Sequence, residues 1–127
     1  MALFEKHFTV EEARSCLPDL RRQFEKIHAL YAELNELQTM FQKVQELVRM
    51  NGHAPKETGF EDRALALKAI VQEIAEAGVE IKDISRGLVD FPHWRDGEEV
   101  FLCWELGEED LLFWHRIEDG YGGRQPL

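Results

Sequence analysis

The chain has 127 residues, 44% hydrophobic and 31% charged, so it is long enough for one globular core and too apolar to be disordered. Its formal net charge is −10, from 15 basic and 25 acidic residues. Because this charge repels phosphate backbones and anionic headgroups, we expect no nucleic-acid partner and no membrane partner. Residues 79–127 carry 5 basic and 12 acidic residues, so the negative charge is concentrated in the C-terminal part.

The first residues contain no apolar stretch typical of a signal peptide, and no segment has the length and apolarity of a membrane span. The two cysteines, Cys16 and Cys103, do not make a disulfide framework. Reduced thiols and a cytoplasmic location are therefore expected.

The first helix is expected to begin after Thr9, because Thr9 and Glu12 fit a capping box. Pro18 lacks a backbone N–H, so the pattern predicts a short helix over residues 10–17, a kink or break, and a longer helix from Pro18 to about Met50. Its apolar residues recur every three or four positions with one slip of phase, which favours packing in a small bundle. They are Leu20, Phe24, Ile27, Tyr31, Leu34, Leu37, Phe41, Val44 and Val48.

A polar loop over residues 51–59 and a second helix from about Phe60 to Ala77 follow, which together predict an antiparallel helical hairpin. The second helix is shorter than the first, so Phe24, Ile27 and Tyr31 have no partner within the hairpin. Either the C-terminal strands or a second subunit must cover them, and we expect a homodimer.

After Gly78 the pattern changes to short strands. Alternating apolar and polar residues predict a strand over residues 79–84, and residues 99–104, apolar on both faces, predict another. Strands are also expected over residues 88–91 and 111–115, with Pro92 ending the former and a turn at residues 95–97. A glycine-rich tail follows Glu118. The predicted fold is a single α+β domain over residues 1–127, with a helical hairpin in residues 1–78 and a small antiparallel sheet in residues 79–127.

Residues of the kind that bind metals are concentrated in the predicted strands. A histidine with two carboxylates is a common environment for Zn, Mn or Fe, and neighbouring strands bring opposite residues close together. We predict a divalent-metal site formed by Asp90, Glu108 and His115, with Asp119 or His93 as a further ligand. Each residue also has an ordinary structural role open to it: Glu108 can satisfy turn amides, and His115 can be a buried histidine bonded to a carboxylate.

Four other residues are candidates for binding a small molecule: Arg124, Trp104, Trp114 and Cys103. Arg124 either folds back onto an acidic group or remains solvated in a mobile tail. A glycine-rich chain end favours the second alternative. The tryptophans, including Trp94, are expected mainly in the core, and Cys103 is expected as a small buried hydrophobic residue. No catalytic motif is present, so the sequence leaves open whether the protein is an enzyme.

The chain resembles the 2203 family, a small bacterial family of unknown function. The matching segments are Gly87-Leu88-Val89-Asp90-Phe91-Pro92, Leu102-Cys103-Trp104, Gly107-Glu108, Trp114-His115 and Gly123-Arg124-Gln125-Pro126. The family has no established activity, so the resemblance implies no functional residues. It does indicate that Asp90, Cys103, Glu108, His115 and Arg124 share either a site or a folding framework.

Two functions are compatible with these observations. The first is a small binding protein with a polar site in the C-terminal sheet, which would hold a divalent metal. The second is a structural or interaction module that homodimerises through the long helix. A metal-dependent enzyme is a weaker alternative, and the sequence identifies neither a small-molecule ligand nor a protein partner.

Overall fold

The computed structural model describes residues 2–51 and 59–127, and there the chain forms two helices and a five-stranded antiparallel sheet. The helices are α1 (Val10–Asn51) and α2 (Phe60–Glu76). The strands are β1 (Glu80–Asp83), β2 (Leu88–Arg95), β3 (Glu98–Glu105), β4 (Phe113–Arg116) and β5 (Gln125–Pro126), with a 3₁₀ turn over Tyr121–Gly123. The predicted α+β class is confirmed.

The chain divides into two compact units. The first unit, Met1–Phe24 with Gln72–Leu127, contains the sheet, the start of α1 and the end of α2. The second unit, Glu25–Val71, contains the remainder of both helices, where Arg63 Nε of α2 donates to Glu33 Oε2 of α1 at 2.7 Å. The predicted loop over residues 51–59 lies outside the described residues except at its two ends. Neither helix, over its described length, is both long and apolar enough to cross a membrane.

The start of α1 has the predicted capping box, but the helix does not break at Pro18. Thr9 Oγ1 accepts the Glu12 N–H and Glu12 Oε1 accepts the Thr9 N–H, each at 3.0 Å. The helix continues through Pro18 because its buried residues before and after the proline, Leu17 and Leu20, lie on one stripe facing the core. Pro18 itself is exposed, so its ring and missing hydrogen bond lie on the solvent side.

The sheet is a meander in which each strand pairs with its neighbours in chain order. Asp96 and Gly97 both have positive φ, 50° and 79°, in the two-residue turn that joins β2 to β3. Contrary to prediction, β2 runs on through Pro92. This is tolerated because β1 pairs only with residues 88–90, so no neighbouring strand needs the missing N–H.

The glycine-rich tail is also more ordered than predicted. Its residues form the 3₁₀ turn and β5, which pairs with β4 through Trp114 and Gln125. The Leu127 N–H then donates to the Leu112 carbonyl at 2.9 Å. The tail is therefore the last strand of the sheet.

The uncovered apolar seam of α1 is shorter than predicted. Phe24 and Ile27 are completely buried within the single chain, whereas Tyr31 is 41% exposed. No second subunit is needed to cover the first two residues. The exposed part of the seam begins at Tyr31.

Candidate metal centre

Three polar side chains meet on one face of the sheet because of the strand register. Asp90 of β2 lies directly opposite Cys103 of β3, and His115 of β4 lies opposite Phe101, two residues before Cys103. Side chains two residues apart on a strand share a face, so all three project from the same side. The other face carries Phe91 and Trp104.

Phe8 and α1 pack on that other face. The Phe8 ring lies edge-on to the Phe91 ring at 5.3 Å, and the Arg21 guanidinium lies 5.6 Å from the Trp104 ring. The face with the three polar residues is covered by the segment after β4, through Ile117, Gly120 and Tyr121, and the Phe4 ring contacts Phe101 there at 5.2 Å. Among the described residues that line this side of the cluster, none belongs to α1 or α2.

The cluster is compact and buried. Asp90, Cys103 and His115 are only 3%, 1% and 2% exposed, and each offers a ligand atom within 4.8 Å of the others. His115 Nδ1 donates to the Arg116 carbonyl at 2.7 Å, and Nε2 lies 3.0 Å from Asp90 Oδ1. Because a carbonyl can only accept, Nδ1 carries a proton and Nε2 is the nitrogen directed at the other two residues.

The protonation states follow from burial and from these contacts. Burial disfavours the charged form of His115, but the bonds to Asp90 and to the Arg116 carbonyl outweigh it and raise the pKa of the imidazole. Burial, and then the nearby Asp90 carboxylate, raises the pKa of the Cys103 thiol to about 12. At neutral pH without metal, Cys103 is a thiol that donates to Asp90.

A cavity of about 180 Å³ opens beside the cluster. Asp90, Cys103 and His115 form its polar wall, and Lys82 of β1 brings a cation to it. The remaining described residues around it are mainly apolar, namely Leu88, Phe101, Ile117, Gly120 and Tyr121. The three polar residues thus face a space large enough for a small molecule.

Glu108, predicted as a ligand, lies in a different network. Its Oε1 accepts the Glu105 N–H at 2.7 Å and Arg124 Nη2 at 2.6 Å, and its carbonyl accepts the Trp104 indole N–H at 3.0 Å. The structural alternative of turn-amide bonding therefore holds for this residue. Arg124 folds back onto an acidic group, and its side chain is only 11% exposed.

The Arg124 guanidinium is held between two aromatic rings. Its central carbon lies 4.1 Å from the Phe113 ring and 4.6 Å from the Tyr121 ring. Its Nη2 also donates to the Cys103 carbonyl at 3.2 Å, while the buried Nε finds no partner among the described residues. The expectation of a solvated tail arginine is wrong, because stacking and the Glu108 pair hold the side chain in place.

The remaining predicted residues lie apart from the cluster. Asp119 is exposed in the turn after β4, and His93 donates from Nδ1 to the Phe8 carbonyl at 2.6 Å. Trp114 is buried on the opposite face beneath the Arg95 guanidinium. Trp94, expected in the core, is half-exposed and stacks on His7. A metal role for Asp119 stays a prediction.

One sequence signal places Cys103 beside Asp90. Asp96-Gly97 is typical of a two-residue hairpin turn, which pairs Arg95 with Glu98. Counting five residues back along one strand and five forward along the other then pairs Asp90 with Cys103. Pairing in this way would have put Cys103 among the metal ligands. Lys82 and Tyr121 gave no comparable signal.

Comparison with known proteins identifies the family and adds no activity. No curated protein and no solved structure matches the chain. A family model described as Uncharacterized conserved protein (DUF2203) matches residues 6–127. That match covers nearly the whole sequence, including every strand of the sheet, so the chain belongs to the DUF2203 family.

Proposed function

We propose that the protein binds a zinc ion through Asp90 Oδ, Cys103 Sγ and His115 Nε2. The orientation of His115 is the observation that carries the proposal. Metal-bound histidines usually donate their second N–H to a carboxylate or a backbone carbonyl, as His115 Nδ1 does to Arg116. This bond keeps Nε2 directed at the other two ligand atoms.

The chemistry of the donors favours zinc over Mn. A thiolate, an imidazole and a carboxylate are the three ligand types of protein zinc sites, whereas Mn prefers oxygen. Ligand atoms of a tetrahedral zinc ion lie roughly 3.3–3.8 Å apart, and all three atoms here already lie within 4.8 Å. Three protein ligands leave a fourth position, which would face the cavity.

Zinc binding requires Cys103 to become a thiolate, although burial raises the pKa of its thiol to about 12. Binding at pH 7 should therefore release about one proton from Cys103 and a further fraction from His115. A cytoplasmic location belongs to the proposal, and the free state of both Cys16 and Cys103 supports it.

Isothermal titration of metal-free protein with Zn²⁺, in buffers of different ionisation enthalpy, measures both affinity and proton release. We expect one zinc per chain, with Cys103→Ser and His115→Gln weakening binding by more than about 100-fold. Cys16→Ser, which removes the other cysteine, is the matched control and should bind as the wild type does. Cobalt substitution should give a thiolate-to-metal charge-transfer band that Cys103→Ser abolishes.

Two further variants separate this set of ligands from the one predicted from sequence. Glu108→Gln and Asp119→Asn should leave zinc affinity unchanged, whereas Asp90→Asn should weaken it. Equal zinc binding by wild type and Cys103→Ser would overturn the proposal. If zinc bound stoichiometrically to every variant except Glu108→Gln, the metal site would instead lie in the network around Arg124.

A second proposal concerns assembly: the chain homodimerises through the unit Glu25–Val71. Several large apolar side chains are exposed in this unit, namely Tyr31, Met40, Phe41, Leu47, Phe60 and Leu65. Exposed apolar side chains favour association, because contact with a second copy removes them from water. Multi-angle light scattering at micromolar concentrations should give twice the chain mass, and a monomer mass throughout would refute the proposal.

A further inference from the structure

We infer that the cavity beside Asp90, Cys103 and His115 binds a small monocarboxylate, which occupies the fourth zinc position and pairs with Lys82. The inference rests on the proposed zinc site. It adds the class of ligand that this site receives.

The charge of the zinc-loaded site favours a monoanion. A zinc dication bound to one thiolate, one carboxylate and one neutral imidazole has no net charge, and Lys82 at the cavity wall adds a positive charge. A ligand with one negative charge balances Lys82. A phosphate dianion would need further donors, and Lys82 is the sole cationic side chain among the described residues that line the cavity.

Lys82 is available for such a ligand. Its Nζ lies 2.9 Å from Glu80 Oε1, and both side chains are more than one-third exposed, so the pair is solvated and exchangeable. The same ammonium lies 4.6 Å from the Phe101 ring, which borders the cavity. A carboxylate entering the cavity can therefore replace Glu80 as its partner.

The other residues that line the cavity indicate the chemistry of the rest of the ligand. Leu88, Phe101 and Ile117 offer apolar surface, and the Tyr121 hydroxyl is already bonded to Glu105. A space of about 180 Å³ with mainly apolar walls suits a short aliphatic chain better than a polyhydroxylated ligand such as a sugar. The cavity thus fits a carboxylate with a short apolar tail.

The test titrates cobalt-loaded protein with formate, acetate, propionate and butyrate and follows the d–d absorption bands. We expect saturable spectral shifts, with affinity rising about fourfold for each methylene group that is buried. Ile117→Ser should reduce this dependence on chain length. Inorganic phosphate at the same concentrations should leave the spectrum nearly unchanged.

Charge variants test the role of Lys82. Lys82→Gln should weaken butyrate binding about tenfold, and Glu80→Gln, which frees the ammonium, should not weaken it. The matched control is Lys6→Gln, which removes a lysine of the first unit that does not line the cavity. It should leave butyrate affinity unchanged.

Failure of the two proposals can be told apart. If no cobalt or zinc binds, the metal site itself is refuted. If metal binds but butyrate leaves the d–d bands unchanged, or if all four carboxylates bind equally, only the inference about the ligand is overturned. Equal butyrate affinity of Lys82→Gln and wild type would likewise overturn it.

Discussion

Cys103 and Cys16 differ in their surroundings, so their reactivity should differ. Cys103 is buried and the pKa of its thiol is raised to about 12, which leaves a thiolate fraction at pH 8 of only ~10⁻⁴. Cys16 lies partly exposed in the first turns of α1. We expect iodoacetamide to modify Cys16 in the native protein and Cys103 only after unfolding. Peptide mass spectrometry at pH 8, with and without denaturant, checks this, and rapid native labelling of Cys103 would contradict it.

Glu99 holds the N-terminal segment and should make it sensitive to acid. Its carboxylate accepts the N–H groups of Leu3 at 2.6 Å and Phe4 at 3.2 Å, and His7 Nε2 at 2.7 Å. Burial acts to raise the pKa of Glu99, but these hydrogen bonds together lower it below the ordinary value. The native state therefore gains stability above the unfolded pKa of about 4.3 and loses it as pH falls through the folded pKa.

The prediction is that Glu99→Gln has a lower melting temperature than wild type at pH 6 and that the difference shrinks towards pH 3. The neighbouring Glu98, which makes an exposed pair with Arg116 at 3.5 Å, is the matched control. Glu98→Gln should change little at either pH. Thermal unfolding followed by circular dichroism between pH 3 and 6 measures both, and a gap that does not depend on pH would argue against a role for the charge of Glu99.

Among the elements, α1 continues through a proline at a cost that a substitution should recover. A proline in a helix interior removes one backbone hydrogen bond and crowds the preceding turn. Pro18 is exposed, so alanine at this position disturbs no buried contact. We expect Pro18→Ala to raise the free energy of unfolding by roughly 1–3 kcal/mol. Urea denaturation measures the change, and a loss of stability would mean that the proline stabilises α1 by restricting the unfolded chain.

The last strand, β5, should depend on Arg124. Its guanidinium pairs with Glu108 at 2.6 Å and stacks between the rings of Phe113 and Tyr121. Arg124→Ala should lower the free energy of unfolding by roughly 2–3 kcal/mol, because it leaves a partly buried carboxylate without its cation. Arg124→Lys should recover less than half of this, since lysine lacks the planar fork that stacks and donates.

The control for Arg124 is Arg22, an exposed arginine paired with Asp19 on α1. Arg22→Ala should change the unfolding free energy by less than about 0.5 kcal/mol. Denaturation of both variants, with Glu108→Gln to complete a double-mutant cycle, isolates the pair energy. A coupling free energy near zero between Arg124 and Glu108 would mean that stacking alone holds the Arg124 side chain.

These elements show which features local chemistry determines and which it does not. The capping box at Thr9 and the turn at Asp96-Gly97 depend on neighbouring residues, and both are found as predicted. The course of the chain at Pro18, at Pro92 and in the tail depends on contacts made elsewhere in the sequence, so the local signals were misleading there. For the same reason Glu108 is drawn to Arg124, 16 residues away.

For the whole molecule, the charge distribution bears on how two copies can meet. The segment 25–71 carries 6 basic and 7 acidic residues, whereas the rest of the chain carries 9 basic and 18 acidic residues. Two copies therefore repel each other least through this segment, which also exposes the apolar side chains of α1 and α2. Charge and hydrophobicity thus favour the same segment for self-association.

The last prediction follows from this distribution. The dimer that we propose should dissociate more readily at low salt, because the parts of its two chains outside residues 25–71 carry −9 each and their repulsion is then unscreened. Leu47→Glu should weaken dimerisation further, because it replaces an exposed apolar side chain of the second unit by a charge. Leu112→Glu adds the same charge at an exposed position in the first unit and should weaken dimerisation much less. Sedimentation equilibrium between about 20 and 500 mM NaCl measures all three proteins. Equal weakening by the two substitutions would mean that net charge, and not burial of Leu47, controls association.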